Sequence, residues 1–323
     1  MSTGAHPHVA PTRAMRLTAL VHGGRDIVLY EFRPVDRAPV APFTAGAHVD
    51  LHLPNGMLRQ YSLANDPRED HRYVLGIKND PASRGGSRYI HESLRPGQVL
   101  EVGRPRNNFP LEEAAPHTVF IAGGIGITPI RSMLHRAEAL GLSWEMHYAV
   151  RDREDAVFSV ELAADPRVHI HVDAESGGRP LDLLPIAAGL RGDAHAYCCG
   201  PGPMIEAFER AFAAVPPGRR HVERFSAPKV DPEPGGAFRI VLARSSRTLA
   251  VGAGQTILEV VRGAGIDADA SCEQGICGSC EVRVLGGQPD HRDILLSPEE
   301  RAEGRCMMIC CSRSKTAELV LDL

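Results

Sequence analysis

The chain gathers three cysteines into one short loop near its end, Cys272-Glu-Gln-Gly-Ile-Cys277-Gly-Ser-Cys280, and follows them with Cys306, Cys310 and Cys311. C-x4-C-x2-C with a distant fourth cysteine is the spacing that holds a 2Fe-2S cluster. Three thiolates from one loop must wrap such a centre closely. Gly275 and Gly278 let the backbone bend and turn its N–H groups toward the negatively charged sulfurs. A zinc ribbon would instead use two separate C-x2-C pairs. The fourth ligand comes from across the domain, and the residues leave Cys306, Cys310 and Cys311 as choices. The chain carries 8 cysteines in 323 residues, too few for a disulfide scaffold, and their clustering points to a metal.

A chain of 323 residues exceeds one small module and suggests at least two domains. With 43% hydrophobic and 24% charged residues it has the composition of a soluble globular protein. Its net charge of -4 and the lack of a Lys/Arg cluster argue against a nucleic-acid partner. There is no apolar run long enough for a membrane helix, and the start lacks a secretory signal, so we expect a cytoplasmic protein with no membrane association.

The pattern changes twice along the chain. Residues 15 to 110 read as short strands between turn clusters, as in an antiparallel barrel or sandwich. From His117 strands alternate with helices. TVFIAG suits a strand covered on both faces of a parallel sheet, and Ile130, Met133, Leu134 and Ala137 then give a helical stripe with Pro129 in its first turn. A second such unit is HAYCCG followed by a stripe of Met204, Ile205, Phe208 and Phe212. Ser226 to Gly236 is rich in Pro and Gly and marks a linker. Beyond it, a hairpin, a short helix and two further strands predict a small α+β domain.

Two further sets of residues carry chemistry. Arg59-Gln-Tyr61-Ser62 offers a guanidinium for phosphate, an aromatic face for a ring system and a hydroxyl for a ring nitrogen. Arg84-Gly85-Gly86-Ser87 precedes the helix RYIHESL and supplies glycines, a hydroxyl and a helix N-terminus, which together suit an anion. Gly123-Gly124-Ile125-Gly126-Ile127-Thr128-Pro129 lies between a strand and its helix, the setting of a dinucleotide loop, although proline replaces the last glycine of that motif. Cys198-Cys199-Gly200-Pro201 ends another strand, so both loops are predicted to meet at the carboxyl edge of one sheet.

In order, RQYSL, RGGS, AGGIGITP, CCGP and the terminal cysteine pattern resemble the phthalate dioxygenase reductase family, which includes vanillate demethylase reductases. The resemblance covers the chain from about residue 15 to its end. It implies a multidomain fold: an antiparallel β-barrel that binds FMN over residues 1–114, an α/β parallel-sheet NAD domain over 115–225, a linker over 226–236, and an α+β β-grasp, plant-type ferredoxin domain over 237–323. It also implies that Arg59 and the loop Arg84, Gly85, Gly86 and Ser87 bind the FMN phosphate, that Tyr61 and Ser62 face the flavin ring, and that Gly76, Ile77 and Lys78 form a neighbouring flavin-contact strand. Gly124, Gly126, Thr128 and Pro129 would approach the dinucleotide, with Cys199, Gly200 and Pro201 at the hydride-transfer site. Phe225 resembles the family's aromatic cover of the flavin. The similarity to plant-type ferredoxins, whose last ligand follows the third by close to 30 residues, selects Cys310.

These cofactors imply a function. Nicotinamide gives a hydride, flavin divides the electron pair, and a cluster carries single electrons. No acid, base or nucleophile is therefore expected, and the hydride-transfer site is Ser62, Thr128, Cys199 and Phe225. The resemblance implies NADH as donor and a separate Rieske-type oxygenase as acceptor, with the reductase a monomer. Asp152 would bind the ribose hydroxyls, whereas its neighbours Arg151 and Arg153 would suit a 2'-phosphate. Alternatives are a haem monooxygenase or another acceptor and, from a different class, a redox sensor, for which the chain has no spare domain.

Overall fold

Alternating apolar and polar residues give the first part of the chain a period of two, and it folds into strands. The computed structural model describes residues 12–81, 83, 85–227 and 235–323. Its first sheet contains β1 (Thr12–Gly24), β2 (Ile27–Pro34), β3 (His48–His52), β4 (Leu58–Ser62), β5 (Tyr73–Lys78) and β6 (Val99–Gly103). They pair antiparallel in the order β4-β3-β6-β1-β2-β5. A bridge between Leu63 and Leu75 brings the two outer strands together and closes the barrel. Leu17, Phe32, Val49, Leu51 and Leu75 fill its interior and are fully buried. Truncating any of these leucines to alanine would cost about 2–5 kcal/mol. Helix α1 (Gly86–Ser93) follows β5.

All residues of β7 (Thr118–Gly123) are buried, as its unbroken apolar character requires. It is the central strand of a parallel sheet, flanked by β8 (Trp144–Val150) and β9 (Val168–Val172) on one side and by β10 (His195–Cys199) and β11 (Arg220–Glu223) on the other. Helix α2 (Ile127–Leu140) packs Ile130, Met133 and Leu134 on one face. The short helices α3 (Ser159–Leu162) and α4 (Leu184–Gly189) precede α5 (Gly202–Ala211), which packs Ile205 and Phe208 on the other face. The chain builds outward from β7 through β8 to β9 and then crosses back to β10 on the other side of β7, so a crevice opens at the carboxyl ends of β7 and β10. Barrel and parallel sheet form one compact unit that ends at Arg224.

The second unit begins at Phe225. A hairpin of β12 (Phe238–Leu242) and β13 (Arg247–Val251) leads into α6 (Ile257–Gly263), whose start is fixed by reciprocal bonds between Thr256 and Glu259. The chain then passes through β14 (Glu281–Gly286), β15 (Pro289–Asp290), α7 (Pro298–Glu303), β16 (Cys306–Met308), β17 (Arg313–Ser314) and β18 (Glu318–Leu321). The main sheet runs β13-β12-β18-β14-β16, with β18 parallel to β12 and packed over α6, which is the β-grasp arrangement.

Candidate functional site

In the second unit, the segment between α6 and β14 has no regular structure because its backbone bends at nearly every step. Glu273, Gly275 and Gly278 all have positive φ, at 53°, 70° and 79°. Only glycine holds such angles without strain, and two of the three positions are glycine. The path is pinned from inside: Ser271 N–H donates to Ser279 Oγ at 2.8 Å and Gln274 N–H to Cys272 Sγ at 3.3 Å. Cys277, Cys280 and Cys310 are buried and Cys272 is half-buried. The thiols lie in contact as two pairs, Cys272 with Cys277 and Cys280 with Cys310. The hydrogen bond from Cys272 pulls the Cys277 thiol down to about 6, and Gly275 N–H donates to Cys310. The four sulfurs thus lie as two contacting pairs, with the Gln274 amide aimed at Cys272. Cys306 is turned away and bonds the Glu281 carboxyl.

In the first unit, α1 ties β4 to β5. Gly86 lies so close under Arg59 that an added Cβ would stand 2.2 Å from its Nε, and His91 Nε2 is 3.0 Å from Ile77 O. Gly85 has φ 85°, and a Cβ there would meet nothing within 4 Å, so the space before this helix start is open. Ser87 Oγ is bonded to Ser83 Oγ at 2.9 Å and accepts from Asp80 N–H at 3.3 Å, which fixes the loop ahead of the helix. Arg84 lies outside the described residues. Tyr61 packs against the barrel core and burial raises its phenol, while Lys78 points to solvent.

The two glycine loops meet at the carboxyl edge of the parallel sheet. A Cβ on Gly126 would stand 2.2 Å from Cys199 O, and one on Gly123 would stand 2.6 Å from Pro201 Cδ. Gly124 has φ 52° with open space beside it, which leaves room for a ligand to approach the backbone. Thr128 is buried, donates to Ile125 O at 3.0 Å, and places its methyl where a Cβ of Gly76 would be, 2.6 Å away. The barrel strand β5 thus touches the dinucleotide loop through a glycine that makes room for it.

At the same junction stands a residue that the sequence reading passed over. Glu223 ends β11 in register with Cys199, whose Sγ donates to Glu223 Oε2 at 3.9 Å, and the carboxyl also bonds Ser62. Burial raises this carboxyl to about 8, although hydrogen bonds from Ser62 and Cys199 pull the other way. A neutral acid therefore links the barrel serine to the sheet cysteine. A charged residue closing a strand beside CCGP was the available signal.

The adenosine end of such a site would fall where β8 and β9 finish. A cavity of about 410 Å³ there is lined by Arg25, Asp152, Arg153, Glu154, Val172, Ala174 and Glu175. Asp152 does not face it alone: Arg25, from the β1–β2 turn, reaches Asp152 Oδ2 at 2.6 Å, and Arg153 pairs with Glu175 at 2.6 Å. Phe225 belongs to the second unit and is 45% exposed.

A family model described as a 2Fe-2S iron-sulfur cluster binding domain matches residues 240–315, and one described as an oxidoreductase NAD-binding domain matches residues 120–210. The chain is 52% identical to phenoxybenzoate dioxygenase subunit beta of Ectopseudomonas oleovorans over 96% of its own length and 97% of that protein. It is 39% identical to phthalate dioxygenase reductase of Burkholderia cepacia over 93% of this chain and 94% of the relative. Among solved structures, a phthalate dioxygenase reductase superposes with a TM-score of 0.73 at 37% identity, covering 97% of this chain and 98% of that one. An intact type IV self-sufficient cytochrome P450 monooxygenase superposes with a TM-score of 0.89 at 40% identity; 97% of this chain is covered, but only 41% of that longer chain.

Proposed function

The chain belongs to the phthalate dioxygenase reductase family, and from that premise we infer that it is the reductase component of a multicomponent oxygenase or demethylase, passing electrons from NADH through FMN and a 2Fe-2S centre to a separate oxygenase. One observation carries the reading: Ser62, Cys199 and Glu223 share a hydrogen-bonded junction where the barrel strand carrying Gly76 touches Thr128 of the dinucleotide loop. That junction brings a flavin-binding face and a nicotinamide-binding face onto one spot.

The residues fit the groups. Arg59, Ser87 and the open start of α1 at Gly85 and Gly86 suit the FMN phosphate, and Arg84, outside the described residues, would add a second guanidinium. Tyr61, Ser62, Gly76, Ile77 and Lys78 would line the ring, and Phe225 would cover it. Gly124, Gly126, Thr128, Pro129, Cys199, Gly200 and Pro201 would hold the dinucleotide along the crevice. Cys272, Cys277, Cys280 and Cys310 would ligate the cluster. When bound, these groups supply the conversion of a two-electron hydride into single electrons. The protein's own work is to stack the nicotinamide on the flavin and to keep water out. Ser62 donates to the Glu223 carboxyl and would face the flavin ring.

We place the functional modules at residues 1–114, 115–225 and 237–323, joined by 226–236, most of which lies outside the described residues. Among the described residues no helix is long and apolar enough to cross a membrane. A cytoplasmic monomer is the form we propose. NADH is the preferred donor because Arg25 and Arg153, the cations lining the adenosine cavity, are already paired with carboxylates. Asp152, held by Arg25, would then face the ribose.

The test is the visible spectrum of the purified protein under nitrogen, titrated with NADH. Flavin and iron-sulfur bands that both bleach are expected. A flavin that bleaches with no cluster absorbance, even after anaerobic reconstitution with iron and sulfide, would reduce the protein to a simple flavin reductase. A second reading, supply of electrons to a haem monooxygenase, is favoured by the TM-score of 0.89 with the self-sufficient P450. Reconstitution against a Rieske oxygenase and a haem acceptor, compared by turnover, separates the two.

A further inference from the structure

We propose that Asp293 is a positioning residue for the 2Fe-2S centre: its buried side chain ties the Gly275 turn of the cysteine loop to the segment that carries Cys310. The inference rests on the cluster assignment above and adds a residue to it, from a stretch that supplies none of the ligands.

The Asp293 side chain is fully buried. A carboxyl group is costly to bury unless donors meet its oxygens, and here they come from two segments. Oδ2 accepts from the N–H groups of Leu295 and Leu296, at 3.2 and 2.9 Å. Only a short side chain reaches amides two and three residues ahead of itself, and the bonds fold this stretch into a fixed turn. Oδ1 accepts from Ser312 Oγ at 3.4 Å. Ser312 is held in its turn, since its Oγ accepts from Arg292 N–H at 3.1 Å and its N–H donates to Met308 O at 3.0 Å. Arg301, from α7, donates to Asp293 O and so fixes the backbone of the residue as well.

The turn made by Asp293 meets the cysteine loop at Gly275. Ile294 N–H donates to Gly275 O at 3.0 Å. A Cβ on Gly275 would stand 2.9 Å from Asp293 Cα and 2.5 Å from Cys311 Sγ, so the loop is gripped between the Asp293 turn and the residue after Cys310. Gly275 lies between Cys272 and Cys277, and Ser312 lies just beyond Cys310. One carboxyl group therefore relates the loop that carries three cysteines to the strand end that carries the fourth. A metal centre keeps its ions while groups behind the ligands hold them in place, and loss of such a group costs roughly 10- to 100-fold in metal retention.

The experiment reconstitutes full-length wild type, Asp293→Ala, Asp293→Asn and Ser312→Ala with iron and sulfide. It then follows bleaching of the cluster band in excess chelator, the electron paramagnetic spectrum of the reduced cluster, and the thermal midpoint. Asp293→Ala leaves three donors without their acceptor and should release the cluster roughly tenfold faster than wild type, with altered g values. Asp293→Asn keeps an oxygen for the Leu295 and Leu296 amides and should stay close to wild type. Ser312→Ala removes a single donor and should fall between the two. Wild-type release and g values in Asp293→Ala overturn the proposal. So does an Asp293→Asn that behaves like Asp293→Ala, because charge and not placement would then be at work. Faster release with a lower thermal midpoint and unchanged g values makes Asp293 a support for the domain alone, which also overturns it. If Asp293→Ala does not fold, Ser312→Ala decides: faster release with altered g values upholds the proposal, and wild-type behaviour sinks it. Wild-type protein that holds no cluster under the same reconstitution defeats the underlying assignment instead.

Discussion

In the second unit, three of the sulfurs lie between Cys272 and Cys280, and a single backbone path with positive φ at Glu273, Gly275 and Gly278 places them together. In the first unit, Ser62 comes from β4, Cys199 from β10 and Glu223 from β11, and they meet only because a barrel and a parallel sheet pack against each other. A site carried on one loop tolerates change elsewhere and fails when its own loop is altered. A site assembled from distant strands is exposed to small shifts in any of them. The same residue type makes the point: Cys277 in the loop is lowered by its neighbour Cys272, whereas burial in β10 pushes Cys199 far up.

The largest effect should come from breaking the local site. Cys277→Ser removes one ligand from the centre of the loop, and the expected outcome is loss of cluster absorbance with roughly 100-fold or greater loss of electron delivery to an oxygenase or cytochrome acceptor. NADH-dependent reduction of ferricyanide, which flavin alone supports, should stay within about twofold because the first unit folds on its own core. If both activities fall together, the two sites are not separately built.

The reverse break is Gly126→Ala. Its Cβ would lie 2.2 Å from Cys199 O, a clash with backbone that no rotamer relieves, so the dinucleotide loop must shift away from CCGP. A displacement of about 1 Å in a stacked hydride-transfer geometry costs roughly 100-fold in rate. Stopped-flow reduction of the flavin by NADH should show that loss, while iron content and the cluster spectrum remain those of wild type. Loss of cluster in this variant would contradict the separation.

Legibility in the sequence follows the same division. The cysteine loop could be read outright because its spacing is its geometry. The strands TVFIAG and HAYCC and the stripe of α2 were legible because burial on two faces and a helical period leave local marks. Glu223 was not legible: its role depends on register with Cys199 and on Ser62, which lies far away in the chain. Arg25 was hidden for the same reason, since it acts on Asp152 from the β1–β2 turn. The choice of Cys310 over Cys306 and Cys311 came from the resemblance to plant-type ferredoxins and not from the residues alone, and the fold turns Cys306 toward Glu281.

Glu223 offers a finer probe of the distributed site. Its carboxyl titrates near 8 in the folded protein against an ordinary 4.5, so the folded state binds the extra proton between those values. The stability this group contributes is therefore present at low pH and declines as pH rises through about 8. Glu223→Gln keeps the neutral hydrogen-bonding form at every pH. Unfolding midpoints of the variant should fall less steeply than wild type between pH 6 and 9. Its flavin reduction rate should drop by about tenfold, or about 1.4 kcal/mol, if the proton on Glu223 helps to place that of Ser62. An identical pH profile in both proteins would show that the carboxyl is only packing.

The smallest effect concerns the cations of the adenosine cavity. Arg153 and Glu175 form a bidentate pair, at 2.8 Å and 2.6 Å, on an exposed surface, so breaking it should leave the melting temperature unchanged. It should alter which nucleotide is used. Glu175→Gln releases the Arg153 guanidinium, the fork best suited to a phosphate, next to a cavity that otherwise presents it already neutralised. The ratio of kcat/KM for NADPH over NADH should rise by roughly 5-fold, about 1 kcal/mol of differential binding, mainly through a lower KM for NADPH. The change should also shrink as salt is raised, because the new contact is a screened surface charge. An unchanged ratio would place the ribose elsewhere along the ends of β8 and β9 and would release Asp152 from its proposed role. The cluster potential should be indifferent to this substitution, since Glu175 lies in the first unit and the cluster cysteines in the second.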